Sequence, residues 1–459
     1  MKRQEILIGL GLLLLVVGAK APTLPTLYHW DEMGAYVHPA RYLMNHSLWE
    51  VLPKRENAGA FFGHPPLLYV TVALAYRVLG ESPVVSHSVI LVFAFLGVYY
   101  TYRLGRYLAG DGAGILAAIF LFTTPLYFAQ AGLVMGEMSI TALGVMAVYY
   151  AVRGRYLAYA LCGTLAVLFK ETALAIVAGA GLYVLLAQRH ERGLARRVIA
   201  CALPALVLAG FFLWQRLATG KWVCNSYFVD NPLFRPSAGA VLEQAVWVMS
   251  WTFLRQYRVV LVFLIVLDFA VRGRGAWRRE YIAFALIVAF FVVAFWFLYF
   301  GQRYILPCLP YLCVGAAAAL AGLVHQRAAR AATGALAAAL FVVAWYGHDT
   351  GYGAADYDLQ YLDVVAIHRQ ACAYVEEHYP EARVAARWPL QAHLGDLYQG
   401  YVRRPVRTVR FDEPFDVLFY ATGRDLSPKQ LDELVTLRNR LTLERRFERN
   451  GKWLELYRR

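Results

Sequence analysis

Residues 281–300 read YIAFALIVAFFVVAFWFLYF, a run without one charged side chain. An α-helix rises about 1.5 Å per residue, so such a run spans about 30 Å, the thickness of bilayer hydrocarbon. Further runs almost free of charge lie at residues 9–19, 84–100, 115–128 and 173–187. The composition agrees: of 459 residues, 59% are hydrophobic and 17% charged, and mean hydropathy is +0.45. A soluble domain sits nearer half apolar and a quarter charged. The chain therefore reads as an α-helical polytopic membrane protein.

The net charge of +14 could indicate a nucleic-acid partner, but its distribution argues against one. Residues 349–459 hold 17 basic and 17 acidic side chains, so the surplus lies wholly among the apolar runs. No basic arm or aromatic stacking platform occurs. Of the six cysteines, Cys162, Cys201, Cys308 and Cys313 sit in apolar runs and read as small buried hydrophobes. Cys224 and Cys372 fall in expected outer segments, and no spacing resembles a metal or redox motif. Residues 1–21 look like a signal peptide, yet run into Pro22 and Pro25 without a small-x-small cleavage site. They read as a retained first span.

Basic clusters orient the spans, because cytoplasmic loops carry the excess of Lys and Arg. They fall at Lys2/Arg3, Arg103/Arg106, Arg153/Arg155, residues 189–197, residues 272–279 and Arg327/Arg330. Each interval leaves room for a pair of spans. The simplest solution has about eleven transmembrane helices, N-terminus inside and C-terminus outside. The expected spans are 5–21, 84–102, 113–132, 137–152, 156–169, 171–188, 198–216, 256–271, 281–300, 304–324 and 331–347. Residues 22–83, residues 219–255 and the tail are then extracytoplasmic. Residues 67–79 and 238–253 read as outer interfacial helices.

Composition divides the chain into a transmembrane domain, 1–348, and a small extracytoplasmic α/β domain, 349–459. In the latter, residues 359–378 and 427–438 read as helices, and 383–386 and 417–421 as short strands. Residues 441–447 and 453–457 flank Asn450-Gly451, a strong hairpin signal. No nucleotide-binding glycine loop occurs.

Several ionisable residues fall at the expected outer surface. Asp31-Glu32 follows the first span; adjacent carboxylates there can bind a divalent ion or accept a proton, or merely cap the following helix. His64-Pro65-Pro66 precedes an interfacial helix, and an imidazole at headgroup depth can meet a phosphate. Glu137 opens a span, where an ionisable group is a functional candidate by default, or a helix-start cap. Lys170-Glu171 separates two apolar stretches and fits a tight outer turn better than a buried ion pair. Arg303, Arg255 and Arg258 flank outer boundaries, where arginine commonly snorkels but can also hold a phosphate in a bidentate fork. Acids together with phosphate-capable cations suggest a reaction on an anionic lipid. No Walker A motif, zinc motif or nucleophile elbow occurs.

The order of these motifs resembles that of the GT-C-type glycosyltransferases using lipid-linked sugars. It runs from Asp31-Glu32 through Tyr36, Arg41, His64-Pro65-Pro66-Leu67, Arg103-Leu104, Pro125, Gln130 and Gly136-Glu137 to Phe169-Lys170-Glu171-Thr172. Within them it looks most like the protein O-mannosyltransferase and aminoarabinose lipid A transferase superfamily, over about residues 1–190. The resemblance implies a polyprenyl-phosphate-sugar donor, a protein, lipid or glycan acceptor on the outer face, and inversion at the anomeric carbon. It implies Asp31 as general base with Glu32 beside it, and Glu137 as a further catalytic acid. Asp31 and Glu137 would hold a divalent metal where one is used. The resemblance places His64 near the lipid phosphate; Arg303, Lys170 and Arg255, at the expected outer face, are the further candidates for binding it. The family has an acid just before the His64 position, where this chain has Gly63.

Two other classes share the outline. An oligosaccharide polymerase or ligase with a lipid-diphosphate donor would favour one very large outer loop in mid-chain. A lipid or solute transporter often shows inverted repeats and broken helices at mid-membrane; no repeat is visible, and the ionisable residues cluster at one surface.

Overall fold

The computed structural model describes residues 2–52, 54–57, 60–61, 63–187, 193–222, 237–273, 278–350, 353–421 and 428–459. The chain forms two compact units, Met1–Leu24 with Gly34–Trp345, and Pro25–Met33 with Tyr346–Arg459. The linear division at residue 348 did not anticipate that Pro25–Met33 packs with the C-terminal residues.

The first unit is helical. It comprises α1 (Lys2–Lys20), α2 (His38–Asn45), α3 (Leu67–Leu79), α4 (Pro83–Ala109), α5 (Asp111–Thr123), α6 (Pro125–Gln130), α7 (Gly136–Val152) and α8 (Tyr156–Phe169). It continues with α9 (Leu174–Ala187), α10 (Leu194–Thr219), α11 (Ala238–Phe253), α12 (Val259–Arg272), α13 (Tyr281–Phe297), α14 (Leu309–Leu323) and α15 (Arg327–Val343). Among the described residues, four helical stretches are long and apolar enough to cross a membrane: Arg3–Thr23, Pro83–Ala109, Leu194–Thr219 and Gln302–Leu323. Six shorter apolar helices accompany them, and the protein is an integral membrane protein.

Local chemistry sets the breaks. The Ser82 side chain caps α4 by accepting from Val85 N, with Pro83 at the first turn. The expected helix over 113–132 is interrupted at Thr124, because Pro125 lacks the N–H that a continuous ladder needs and instead opens α6. Packing joins α4 to α5 and α7, α7 to α8, α9 to α13, and α14 to α5 and α12. Small residues allow the closest approaches: a Cβ on Gly179 of α9 would lie 2.8 Å from the Ile287 backbone nitrogen of α13.

The second unit carries a five-stranded sheet in the order β2-β1-β3-β5-β4. Its strands are β1 (Val384–Ala385), β2 (Thr408–Val409), β3 (Val417–Tyr420), β4 (Thr442–Arg449) and β5 (Lys452–Arg458). The first three run parallel; β5 is antiparallel to β3 and β4. The β4–β5 hairpin turns at Asn450 (φ 48°) and Gly451 (φ 79°), the left-handed pair that an Asn-Gly turn supplies. Helix α16 (Tyr361–His378) packs on β4 and β5. Helices α17 (Leu390–Gly395) and α18 (Pro428–Arg438) complete the unit. The expected helix begins at Ser427, which lies outside the described residues. Strand β2 and α17 were not anticipated: two and six residues are too short to carry a period.

Candidate functional site

A π-helical segment, Glu32–Val37, carries the chain into the first unit at Gly34 and leads into α2. It places Tyr36 at the centre of an ionic and aromatic cluster. Glu137, in the first turn of α7, is buried; its Oε1 accepts from Lys170 Nζ at 2.6 Å and from Arg303 Nε at 3.3 Å. Lys170 also donates to Tyr36 Oη at 3.4 Å and lies 4.7 Å from the Tyr304 ring. The Arg303 guanidinium lies 5.2 Å from that same ring. On the other side Tyr36 stacks on the His64 imidazole, centroids 6.3 Å apart and planes 8° apart. His64 Nδ1 is 2.9 Å from Glu171 Oε2 and 3.1 Å from Oε1.

Four residues singled out from sequence, His64, Glu137, Lys170 and Arg303, thus meet around Tyr36. Lys170 does occupy the turn between α8 and α9, but the expectation of a simple surface turn is corrected. Lys170 is buried, and its partner is Glu137 rather than its neighbour Glu171. Adjacent residues point apart while a residue 33 positions away comes into reach, which spacing cannot reveal. Burial works against the Lys170 ammonium, but the Glu137 carboxylate outweighs it and raises its pKa well above the usual lysine value. Burial also raises the Tyr36 phenol, so Tyr36 serves as a neutral hydrogen-bonding group.

Glu137 is buried at the start of its helix. Its Oε1 accepts from two cations, while Oε2 is buried without a hydrogen-bond partner among the described residues. The Tyr69 hydroxyl is in the same condition, its ring 6.4 Å from that of Tyr36. Buried polar atoms seldom stay unsatisfied, so both mark positions where a polar ligand group or water would bind.

Arg255 stands apart from this cluster. It is exposed, 5.5 Å from the Trp247 ring and 5.9 Å from that of Trp251. Its neighbour Arg258 is fully buried. Arg258 Nη1 donates to Gln256 Oε1 at 2.9 Å and Nη2 to the Trp251 carbonyl, with no carboxylate partner among the described residues. Gln256 and Tyr257 both hold left-handed backbone (φ 54° and 59°) to make this turn. A cavity of about 480 Å³ opens among α11 to α14, lined by Phe253, Tyr281, Phe284, Val292, Trp296 and Tyr311 among others.

Asp31 and Glu32 belong to the second unit. Glu32 is buried, and its Oε2 accepts from His29 N at 2.7 Å while its own N donates to the His29 carbonyl at 3.0 Å. Glu32 thus closes the turn over residues 29–32, its carboxylate reaching back to a backbone N–H as the acid of a capping box does, and Asp31 beside it is half-buried. His29 is buried with its Nε2 2.6 Å from the Ala354 carbonyl. Trp30 takes a left-handed backbone (φ 46°) and stacks against His368. His393 Nδ1 must donate to Gln399 Oε1 (3.0 Å), since Gln399 Nε2 donates to Asp396; His393 Nε2 then accepts from His368 Nδ1 at 3.2 Å. Among the described residues no group of three or more His, Cys, Asp or Glu is arranged to hold a metal.

Tyr36, Tyr69 and Tyr304 join the candidate cluster although residue-type reasoning did not name them as site members. Tyr304 was visible beside Arg303, and Arg258 was weighed both as a snorkelling boundary residue and as a phosphate fork. No family model matches the chain, and no curated protein matches it. Solved structures do match. The apo structure of ArnT from Cupriavidus metallidurans is 14% identical, with a TM-score of 0.61 over 99% of this chain and 97% of that one. The same protein bound to undecaprenyl phosphate is 12% identical, with a TM-score of 0.59 and the same coverage. An Archaeoglobus fulgidus oligosaccharyltransferase in complex with zinc and sulfate is 15% identical, with a TM-score of 0.49 over 81% of this chain and 56% of that one. The chain has the fold of ArnT, the GT-C architecture that the order of its sequence motifs resembled.

Proposed function

We propose that this protein is a membrane glycosyltransferase that moves a sugar from a polyprenyl-phosphate donor to an acceptor hydroxyl on the extracytoplasmic side, with inversion. The observation that carries this reading is the convergence of His64, Lys170 and Arg303 with Glu137 around Tyr36. It is supported by the ArnT fold, since ArnT has been solved with undecaprenyl phosphate bound. The lipid phosphate is the leaving group. Cations preorganised in a partly desolvated site stabilise it as charge develops. His64 and Arg303 would contact it, with Lys170 fixing the Glu137 carboxylate, whose Oε2 accepts from a sugar hydroxyl. Arg258 takes the part first given to Arg255, because a buried guanidinium lacking a carboxylate is the one that an anion relieves. The apolar cavity beside it would take the isoprenoid chain: Phe253 and Met249 line that cavity from the helix whose Trp251 carbonyl holds Arg258.

Asp31 would accept the acceptor's proton as its oxygen attacks the anomeric carbon and the bond to the phosphate oxygen breaks. Asp31→Asn keeps size and helix-start preference but cannot take the proton. With a labelled polyprenyl-phosphate sugar and purified protein, turnover should fall about 10²-fold or more while donor binding persists. Near-normal turnover would remove the base assignment. Arg303→Ala should weaken donor binding more than Arg330→Ala; equal effects would remove the phosphate site.

A further inference from the structure

The far end of α7, away from Glu137, holds a second assembly that the transfer reaction does not use. Glu5 of α1 pairs with Arg103 Nε at 3.0 Å and Arg106 Nη1 at 3.1 Å, and Asp111 takes Arg106 Nε at 2.7 Å. From Arg103 a ladder of alternating guanidinium and phenol groups runs across the helix ends. The Arg103 guanidinium is 4.8 Å from the Tyr149 ring, and Arg153 is 5.3 Å from the same ring and donates to its hydroxyl. Arg153 is also 5.8 Å from the Tyr107 ring, and Arg278 is 5.5 Å from it. Arg278 is pinned by Nη1 donating to the carbonyls of Tyr107 (3.1 Å) and Leu108 (2.9 Å).

Charge along this ladder is uneven. Arg103 is matched by Glu5. Arg153, an exposed residue, makes no ion pair with a carboxylate among the described residues. Arg278, with 44% of its side chain exposed, has Glu280 at 3.8 Å, beyond hydrogen-bond reach. Two guanidiniums of like charge are thus held on one ring with donors left over. Each has five N–H groups in a fork that fits phosphate oxygens. The ring fixes both, so little side-chain freedom remains to be lost on binding. Immediately beyond the Arg153–Arg155 turn, α8 exposes Leu157 and Leu161, one helical turn apart, as an apolar stripe beside the cations.

We propose that Arg153 and Arg278, bracketing Tyr107, bind the phosphodiester headgroup of an anionic membrane phospholipid, with Leu157 and Leu161 lying along its acyl chain. The apolar stripe favours a lipid over a free phosphate, which would have no use for it. The basic clusters assign this end of the helices to the cytoplasmic leaflet, where anionic lipids are present.

The test is native mass spectrometry of the full chain released from nanodiscs of mixed phosphatidylglycerol and phosphatidylcholine. Phosphatidylglycerol should be retained preferentially, on the order of tenfold. Arg153→Gln with Arg278→Gln should abolish that preference, while Arg196→Gln with Arg327→Gln, which also removes two exposed basic residues, should keep it. If the Gln pair does not fold, Arg153→Lys with Arg278→Lys keeps the charge but loses the fork, and should still reduce retention. Equal retention of the two lipids by the unmodified protein would overturn the proposal. So would equal loss in the control pair, or a Lys pair indistinguishable from the original. Displacement by inorganic phosphate as effective as by added phosphatidylglycerol would also overturn it, reassigning the arginines to a soluble anion.

Discussion

The two units bury polar groups by opposite strategies. Around Tyr36 in the first unit, Glu137, Lys170 and Arg303 are all buried and ionised, each made tolerable by its partners. Around Trp30 in the second, His29, His368 and His393 are buried and neutral, held by carbonyl, amide and imidazole acceptors. A compensated ionic cluster keeps strong fields ready for a charged ligand. A chain of neutral imidazoles holds backbone in place and excludes charge, since burial lowers all three histidines.

The comparison breaks first at Glu137. Glu137→Gln leaves Lys170 and Arg303 buried without their anion, and removing one partner of a buried pair destabilises by about 3–5 kcal/mol. Chemical or thermal unfolding in detergent should show a loss of that order, and adding Lys170→Met should recover part of it. An unchanged midpoint in the single variant would mean that the pair contributes nothing and that the first unit is not held by ionic compensation.

The second unit should instead answer to pH, on both limbs. Burial pushes His393 down to about 3, against about 6.5 when unfolded. Between those values the unfolded chain binds more protons, so the stability contributed here is full above about 6.5 and is lost as pH falls toward about 3. Asp358 runs the other way: burial, with Asp349 and Asp356 nearby, raises it to about 7, against about 3.9 unfolded. Its contribution is full below about 4 and is lost as pH rises through about 7. Hydrogen exchange of second-unit peptides across this range should show protection declining at both ends. Asp358→Asn should flatten the alkaline decline and leave the acid one. An unaltered alkaline limb would show that Asp358 is solvated.

The smallest expected effect is at Glu32. Glu32→Ala removes the acceptor for His29 N, and loss of such a cap destabilises by about 1 kcal/mol. Its turnover should stay within a few-fold of the unmodified protein, in contrast to Asp31→Asn. A 10²-fold loss at Glu32 without unfolding would reverse the roles of the adjacent carboxylates.

By itself the sequence determined the membrane class, nearly all the helices and the hairpin at Asn450-Gly451. These follow from information local to a stretch: charge-free length, proline at a first turn, a left-handed turn pair. The boundaries of 67–79, 238–253 and 156–169 agree with α3, α11 and α8 to the residue, because each ends at a Gly, a Pro or an abrupt change of polarity. The candidate residues His64, Lys170, Glu137 and Arg303 were legible as polar groups where polarity is costly. What they do to one another was not. That Lys170 meets Glu137 and not Glu171, that Tyr36 joins His64 to the ionic group, and that Arg258 rather than Arg255 is buried are results of packing between distant helices. So is the union of Pro25–Met33 with residues 346–459. Ion pairing depends on distance in space, and for residues 33 to 166 positions apart only the tertiary structure sets that distance.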